Sequence, residues 1–151
     1  MKKKITVTII SFFLALIDLL FKYYLTQKTF FEGSFIYLTY SQNPGSAFSV
    51  FADIEFYSYI IFTFSILAIF LIYYYFDYIN RSKYIQTAII LAVAGIASNA
   101  YDRIVFGYVR DYIAIENLFI FNLADVFIIT AFILYLLHEI KEIKKSKLSK
   151  H

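Results

Sequence analysis

Four apolar runs, each long enough to cross a bilayer, constrain this chain before any single residue is considered. They cover about residues 5–24, 56–76, 84–106 and 118–137, and a membrane helix needs roughly 17–25 residues. Buried helices of a soluble domain are the alternative, and they fail because almost no polar stripe is left to face water. Composition agrees: 61% of residues are hydrophobic and 17% charged, where a soluble domain has roughly 45–50% and about 25%. The expected fold class is an all-α membrane protein with four transmembrane helices. No internal repeat, low-complexity linker or domain boundary divides residues 1–151.

Basic residues sort by side. Lys2, Lys3, Lys4, Arg81, Lys83, Lys141, Lys144, Lys145, Lys147 and Lys150 lie at the termini or between spans two and three. Only Lys22, Lys28, Arg103 and Arg110 lie near the opposite side. This bias predicts that both termini are cytoplasmic. It makes the net charge of +3 a topology signal rather than a nucleic-acid patch, with anionic inner-leaflet lipid the expected contact of the basic tail. The opening "MKKKITVTIISFFLALIDLLFKYY" has the form of a secretory signal, yet Asp18 interrupts its apolar centre and no A-x-A-like cleavage site follows. A retained first span is therefore expected. With no Cys in the chain, disulfides, thiolate chemistry and Cys-ligated metals are excluded.

Two segments should lie on the outer side, about 27–55 and 107–117. In the first, "SFIYLTY" is rich in aromatic and β-branched residues and reads as a short strand, "SQNPGS" as a turn, and "AFSVFADI" as an apolar piece lying along the interface. In the second, "YVRDYIAI" again reads as a strand and follows the helix-ending Gly107.

Polar residues inside the apolar runs carry the functional signal. "GIASNAYDR" at 95–103 brings Asn99, Asp102 and Arg103 into the third run, although a charge near the bilayer centre costs at least roughly 2.5–3.5 kcal/mol. At about 1.5 Å per residue, Asp18 lies roughly 20 Å from the cytoplasmic side, Asn99 roughly 21 Å, and Asp125 roughly 9 Å below the outer surface. Three spans thus bring polar groups to one level. Asp18 and Lys22 share one face of the first span, Asn99, Asp102 and Arg103 one face of the third, and Asn122 and Asp125 one face of the fourth. Bundled together they predict a small polar pocket opening outward. The plainer reading is helix glue, with Asp18 pairing Lys22, Asp102 pairing Arg103 or a neighbour, and the Asn amides bonding across helices. It explains Asp125 less well, because span four has no basic residue before Lys141.

Elimination narrows the chemistry. "HEIKE" at 138–142 resembles the zinc-protease pattern, but Glu142 stands where the second His is needed. The other His ends the chain, so a Ser/His/Asp triad and a His-ligated metal site are both disfavoured. A Ser/Lys dyad would need Lys22, which has Asp18 one turn away. Carboxylates remain: Asp18, Asp102, Asp111 and Asp125 all lie at or near the outer side. Two close carboxylates do not both ionise cheaply, so one keeps its proton while the other acts as a base toward water. Such chemistry needs no metal or cofactor. Spacing alone does not select the pair.

Four stretches, "DLLFK" at 18–22, "QNPGSAFS" at 42–49, "GIASNAYDRIVFGYVRD" at 95–111 and "FNLAD" at 121–125, together resemble lipoprotein signal peptidase (signal peptidase II). This is the bacterial membrane aspartyl protease family that removes signal peptides from lipid-modified prolipoproteins. The resemblance runs over essentially the whole chain. It implies that Asp111 and Asp125 are the catalytic dyad, that Asn43 and Gly45 belong to an N-x-G motif, and that Asn99, Arg103 and Asn122 form a polar shell around dyad and substrate. It implies supporting roles for Asp18 and Asp102. It also implies a small extracytoplasmic β-cradle with an interfacial helix, a diacylglyceryl-modified Cys in the substrate with cleavage just before it, and a bacterial inner-membrane location. A monomer without metal or cofactor, contacting lipid and no nucleic acid, is the expected form. The chain departs from the family pattern at Phe21, Ser98 and Arg110, where Thr, Gly and an aliphatic residue are usual, and in a short separation between Asp111 and Asp125.

Two rival readings belong to other classes. A small transporter or proton-linked channel component also uses intramembrane carboxylates, but it should carry polar groups through the full depth, and here one half of every span is nearly bare of charge. A scaffold would use its polar residues only to bind helices together.

Overall fold

The computed structural model describes residues 2–25, 35–44, 82–116 and 118–148, together with residues 63, 64, 66, 67, 70 and 71. Gly45, the expected interfacial segment and most of the expected second span lie outside the described residues, although the six residues between 63 and 71 are helical. The described chain runs α1 (Lys2–Leu25), β1 (Ile36–Asn43), α2 (Lys83–Phe106), β2 (Val109–Ile115), β3 (Phe119–Phe121) and α3 (Leu123–Leu148). All three helices are long and apolar enough to cross a membrane. At about 1.5 Å per residue, even the shortest exceeds the roughly 30 Å apolar core of a bilayer.

Local chemistry marks the helix ends. Ser82 caps α2 by accepting from the Ile85 amide at 3.4 Å. Gly107 ends α2 at φ 81°, and its N–H donates to the Arg103 carbonyl at 3.1 Å. That left-handed backbone carries no Cβ penalty for Gly. The fourth expected span begins later than its apolar run suggests, at Leu123 rather than 118. Phe119–Phe121 pairs as β3 with Ile113–Ile115 instead. A short run of Leu, Phe and Ile suits strand and helix alike, and Asn122, a helix-capping residue, sets the boundary.

Helix α2 is the centre of the bundle. Val7 on α1 packs against its Ile85 and Ile89, and the Ser11 hydroxyl donates to the Ile90 carbonyl at 3.1 Å. Ala88 and Ala92 meet Ala131 of α3. Lipid supplies no hydrophobic drive between helices, so small residues and close backbone approach hold such bundles together. Gly95 shows how close: a Cβ there would run into the Ala124 carbonyl oxygen and lie 2.8 Å from Ile128 Cγ1. Large apolar side chains point outward, as with Phe12 at 64% and Phe132 at 61% exposure. That is the inverse of a soluble protein and fits a hydrocarbon surround.

The sheet, of order β1-β2-β3, lies at the end of the bundle where α1 and α2 finish and α3 starts. Strand β1 continues through Ser41, Gln42 and Asn43, where the sequence predicts a turn. The pairing explains why. Leu38 lies opposite Ile113, but Ser41 lies opposite Asp111, so β1 carries one extra residue there, a β-bulge. Because strand side chains alternate, a one-residue shift exchanges faces. The bulge puts Ser41 and Asn43 on the face of Asp111, and turns Gln42 to the opposite face with Arg110.

Candidate active site

The start of α3 shows how the site is built. Asn122 and Asp125 form a reciprocal capping box: the Asn122 side-chain oxygen accepts from the Asp125 amide at 2.9 Å, and Asp125 Oδ2 accepts from the Asn122 amide at 3.2 Å. A helix start leaves four amides without intrahelical partners. The other two are taken by the Tyr112 hydroxyl oxygen, which accepts from Leu123 at 3.1 Å, and by Asp18 Oδ1, which accepts from Ala124 at 3.2 Å. Every capping group is thus a side chain of the site.

Asp111 comes from β2 and is 2% exposed. Its Oδ1 accepts from Asn122 Nδ2 at 2.6 Å and its Oδ2 from Asn43 Nδ2 at 3.0 Å. Asn122 therefore joins the two acids: its side-chain amide donates to Asp111 while its backbone amide donates to Asp125. Burial, followed by the charge of Asp125, pushes the Asp111 carboxyl up to about 7, against the opposing pull of the two Asn donors and Lys22. Asp125 is half-buried and takes a further donor, Asn99 Nδ2, at 2.8 Å on Oδ1.

Beneath the two acids lies a buried ionic group. Lys22 and Asp18, one turn apart on α1, pair at 2.9 Å, and Lys22 also reaches Asp102 at 3.3 Å. Arg110 completes the set, its Nη2 lying 2.7 Å from Asp102 Oδ1 and its backbone amide donating to Oδ2 at 3.0 Å. Asp18, Lys22 and Asp102 are fully buried, so each charge must be matched from within the protein. Two acids and two bases match one for one. The partner of Asp102 besides Lys22 is thus Arg110, eight residues on, while Arg103 Nη1 donates to the Asn99 carbonyl at 3.5 Å. Asp18 is further held by the Ser98 hydroxyl at 2.5 Å and the Tyr112 hydroxyl at 2.9 Å. Burial first, and Asp18 second, push the Tyr112 hydroxyl far above the usual phenol range, which keeps it a donor.

Asp18, Asn43, Asn99, Asp102, Asp111, Asn122 and Asp125 meet in one connected network through Lys22, with Arg103 at its margin. Three contributors were not singled out from sequence. Tyr112 carried no signal beyond its place beside Asp111. Ser98 and Arg110 stood out only as departures from a pattern, and the need of Asp102 for a cation was the available clue to Arg110. The Asn-x-x-Asp spacing at 122–125 carries a capping signal in the sequence itself, beyond the shared helix face it predicts. His138 lies far from the site, buried, with its Nδ1 3.0 Å from the Ser82 hydroxyl, so it serves the start of α2. Among the described residues no group of His, Cys, Asp and Glu is arranged to hold a metal ion.

Comparison with known proteins extends the picture. The family model described as Signal peptidase (SPase) II matches residues 10–141. The chain is 37% identical over 107 residues to the lipoprotein signal peptidase of Caldicellulosiruptor bescii, covering 71% of this chain and 69% of that protein. It is 31% identical over 152 residues to the lipoprotein signal peptidase of Streptococcus pneumoniae, covering 94% and 97%. A solved bacterial membrane enzyme structure, obtained by the in meso method, superposes with a TM-score of 0.82 at 26% identity, covering 93% of this chain and 90% of the other. A frame whose described part is three apolar helices, with two linked acids gathered at one polar end, thus coincides with a match along most of the chain's length, and the chain belongs to the signal peptidase II family of membrane proteases.

Proposed function

We propose that the protein is an aspartic endopeptidase of the bacterial inner membrane that removes signal peptides from diacylglyceryl-modified prolipoproteins, cutting just before the lipidated Cys. One observation carries the reading: Asp111 and Asp125, from separate elements, are tied to the same Asn122, and burial together with the neighbouring charge favours retention of one proton on Asp111. Asp125, the more exposed of the two, takes a proton from water as the water oxygen attacks the scissile carbonyl. Asp111 gives its proton to the carbonyl oxygen, forming a neutral diol. Collapse of the diol breaks the C–N bond, returns a hydroxyl proton to Asp111 and passes the proton on Asp125 to the leaving nitrogen. Both acids regain their starting states. Asn43, Gly45, Asn99, Arg103 and Asn122 supply donors and shape around substrate and intermediate, while Asp18 and Asp102 support them.

The architecture proposed for this role has four membrane spans, the second at about 56–76, with both termini cytoplasmic and the site beside the outer leaflet. Residues 1–151 form a single domain that works as a monomer in contact with membrane lipid. A lipid-anchored Cys places its peptide bond near the headgroup boundary, the level estimated for Asp18, Asn99 and Asp125. The transporter reading is not favoured, because the relatives are peptidases and the buried ionic residues cluster at one end of the bundle.

The test is cleavage by the purified protein of a lipid-modified and an unmodified prolipoprotein. Cutting of only the first is expected, with loss of cutting in Asp111→Asn and in Asp125→Asn while both remain folded. Full activity in both variants would remove the proposal.

A further inference from the structure

We infer that Lys22 is a positioning residue for the proposed dyad: its buried ammonium sets the orientation of the Asn99 and Asn122 amides, and through them aims an N–H donor at each carboxylate. The inference rests on the dyad reading above and adds a residue that neither touches the dyad nor meets the substrate.

An ammonium has three protons and no lone pair, so whatever faces Lys22 Nζ must accept. Asn99 faces it at 2.8 Å, and that atom is therefore the amide oxygen. The amide nitrogen is then turned to Asp125 Oδ1 at 2.8 Å. The second lone pair of Asn99 Oδ1 accepts from Asn122 Nδ2 at 3.2 Å, and the same nitrogen reaches Asp111 Oδ1 at 2.6 Å. Asn122 Oδ1 is left facing the Asp125 amide at 2.9 Å. One cation therefore polarises a relay of two amides that ends on both acids.

Reversal of the relay shows what the cation prevents. With Asn99 turned over, an NH2 group would face the ammonium and a carbonyl would face Asp125. That carbonyl would hold a carboxyl proton on Asp125, away from Asp111 and from the reacting water. Lys22 is itself kept in place from four directions: Asp18 at 2.9 Å, Asp102 at 3.3 Å, Ser98 Oγ at 3.3 Å and Asn99. All four are acceptors, so Lys22 acts as a fixed donor and not as a base. Arg110 matters here as well, because its pairing with Asp102 leaves a balanced pair behind if Lys22 and Asp18 are neutralised together.

Two variants test the assignment, Lys22→Met and the charge-balanced Asp18→Asn with Lys22→Met, assayed on lipid-modified prolipoprotein with rates expressed per folded enzyme. In each, kcat is expected to fall roughly 10²-fold, the scale for misplaced reacting groups, with KM unchanged. In Lys22→Met the alkaline limb of the pH profile is expected to move upward, because the lost cation favours the ionised form of Asp111. A purely structural Lys22 would lower the yield of folded enzyme and leave kcat per folded enzyme at the wild-type value, whereas the limb responds to the lost charge in either case. Wild-type kcat in a folded variant, or failure of the charge-balanced variant to fold, would overturn the inference. Asp111→Asn and Asp125→Asn run alongside: if these are dead and the Lys22 variants fully active, only the positioning role falls, whereas active Asp variants remove the dyad itself.

Discussion

Asn122 has two separable tasks, and the substitution Asn122→Ser should part them. As a cap its side-chain oxygen accepts from the Asp125 amide at 2.9 Å, and as a donor its Nδ2 reaches Asp111 at 2.6 Å. A Ser hydroxyl keeps the first, since Ser caps helices about as well as Asn. It is too short for the second. Helix stability should therefore change little in Asn122→Ser, whereas Asn122→Ala loses the cap as well, a cost of about 0.5–2 kcal/mol. A hydrogen bond to a charged group contributes about 1.5–3 kcal/mol. If that bond is expressed in the transition state, its loss slows cleavage by roughly 10- to 150-fold. The direction of the pH effect also follows. The Asn122 donor favours the ionised Asp111 carboxylate, so its removal raises the pKa beyond about 7 and the alkaline limb should move upward. Thermal unfolding in detergent and initial cleavage rates on lipid-modified prolipoprotein from pH 5 to 9 report the two tasks independently. Equal destabilisation in the Ser and Ala variants, with wild-type rates and an unmoved limb in Ser, would refute the division.

Three further outcomes follow from the same geometry. Asp111 has a folded-state pKa of about 7 against an ordinary 3.8, so its contribution to stability is complete below about pH 4 and is lost as pH rises through about 7; the unfolding temperature should fall over that window, and Asp111→Asn should flatten the fall. Gly95→Ala puts a methyl group against the Ala124 carbonyl and Ile128, a crowding that typically costs about 1–3 kcal/mol, and by displacing the first turn of α3 it should slow cleavage as well as lower the unfolding temperature. Arg110→Leu leaves Asp102, which is fully buried, with less cation than it needs; breaking such a pair costs about 3–5 kcal/mol, and addition of Asp102→Asn should recover much of the loss in a double-mutant cycle of unfolding.

Sequence alone settled the membrane class, the ends of α1 and α2 to within a few residues, and the gathering of Asp18, Asn99 and Asp125 at one end of the helices. Hydropathy, helix rise and i, i+4 neighbours are local quantities, and Asp18 with Lys22 is one of them. Pairing is not local. Arg110 rather than Arg103 serves Asp102 because Gly107 turns the chain back on α2. Asn43 rather than Gln42 faces Asp111 because β1 bulges by one residue. Four amides of the α3 start find Asp18, Tyr112, Asn122 and Asp125 across up to 106 positions of chain. Composition names the groups that need partners; only the packed chain decides which partner arrives, because a buried donor takes whatever acceptor the backbone brings within reach.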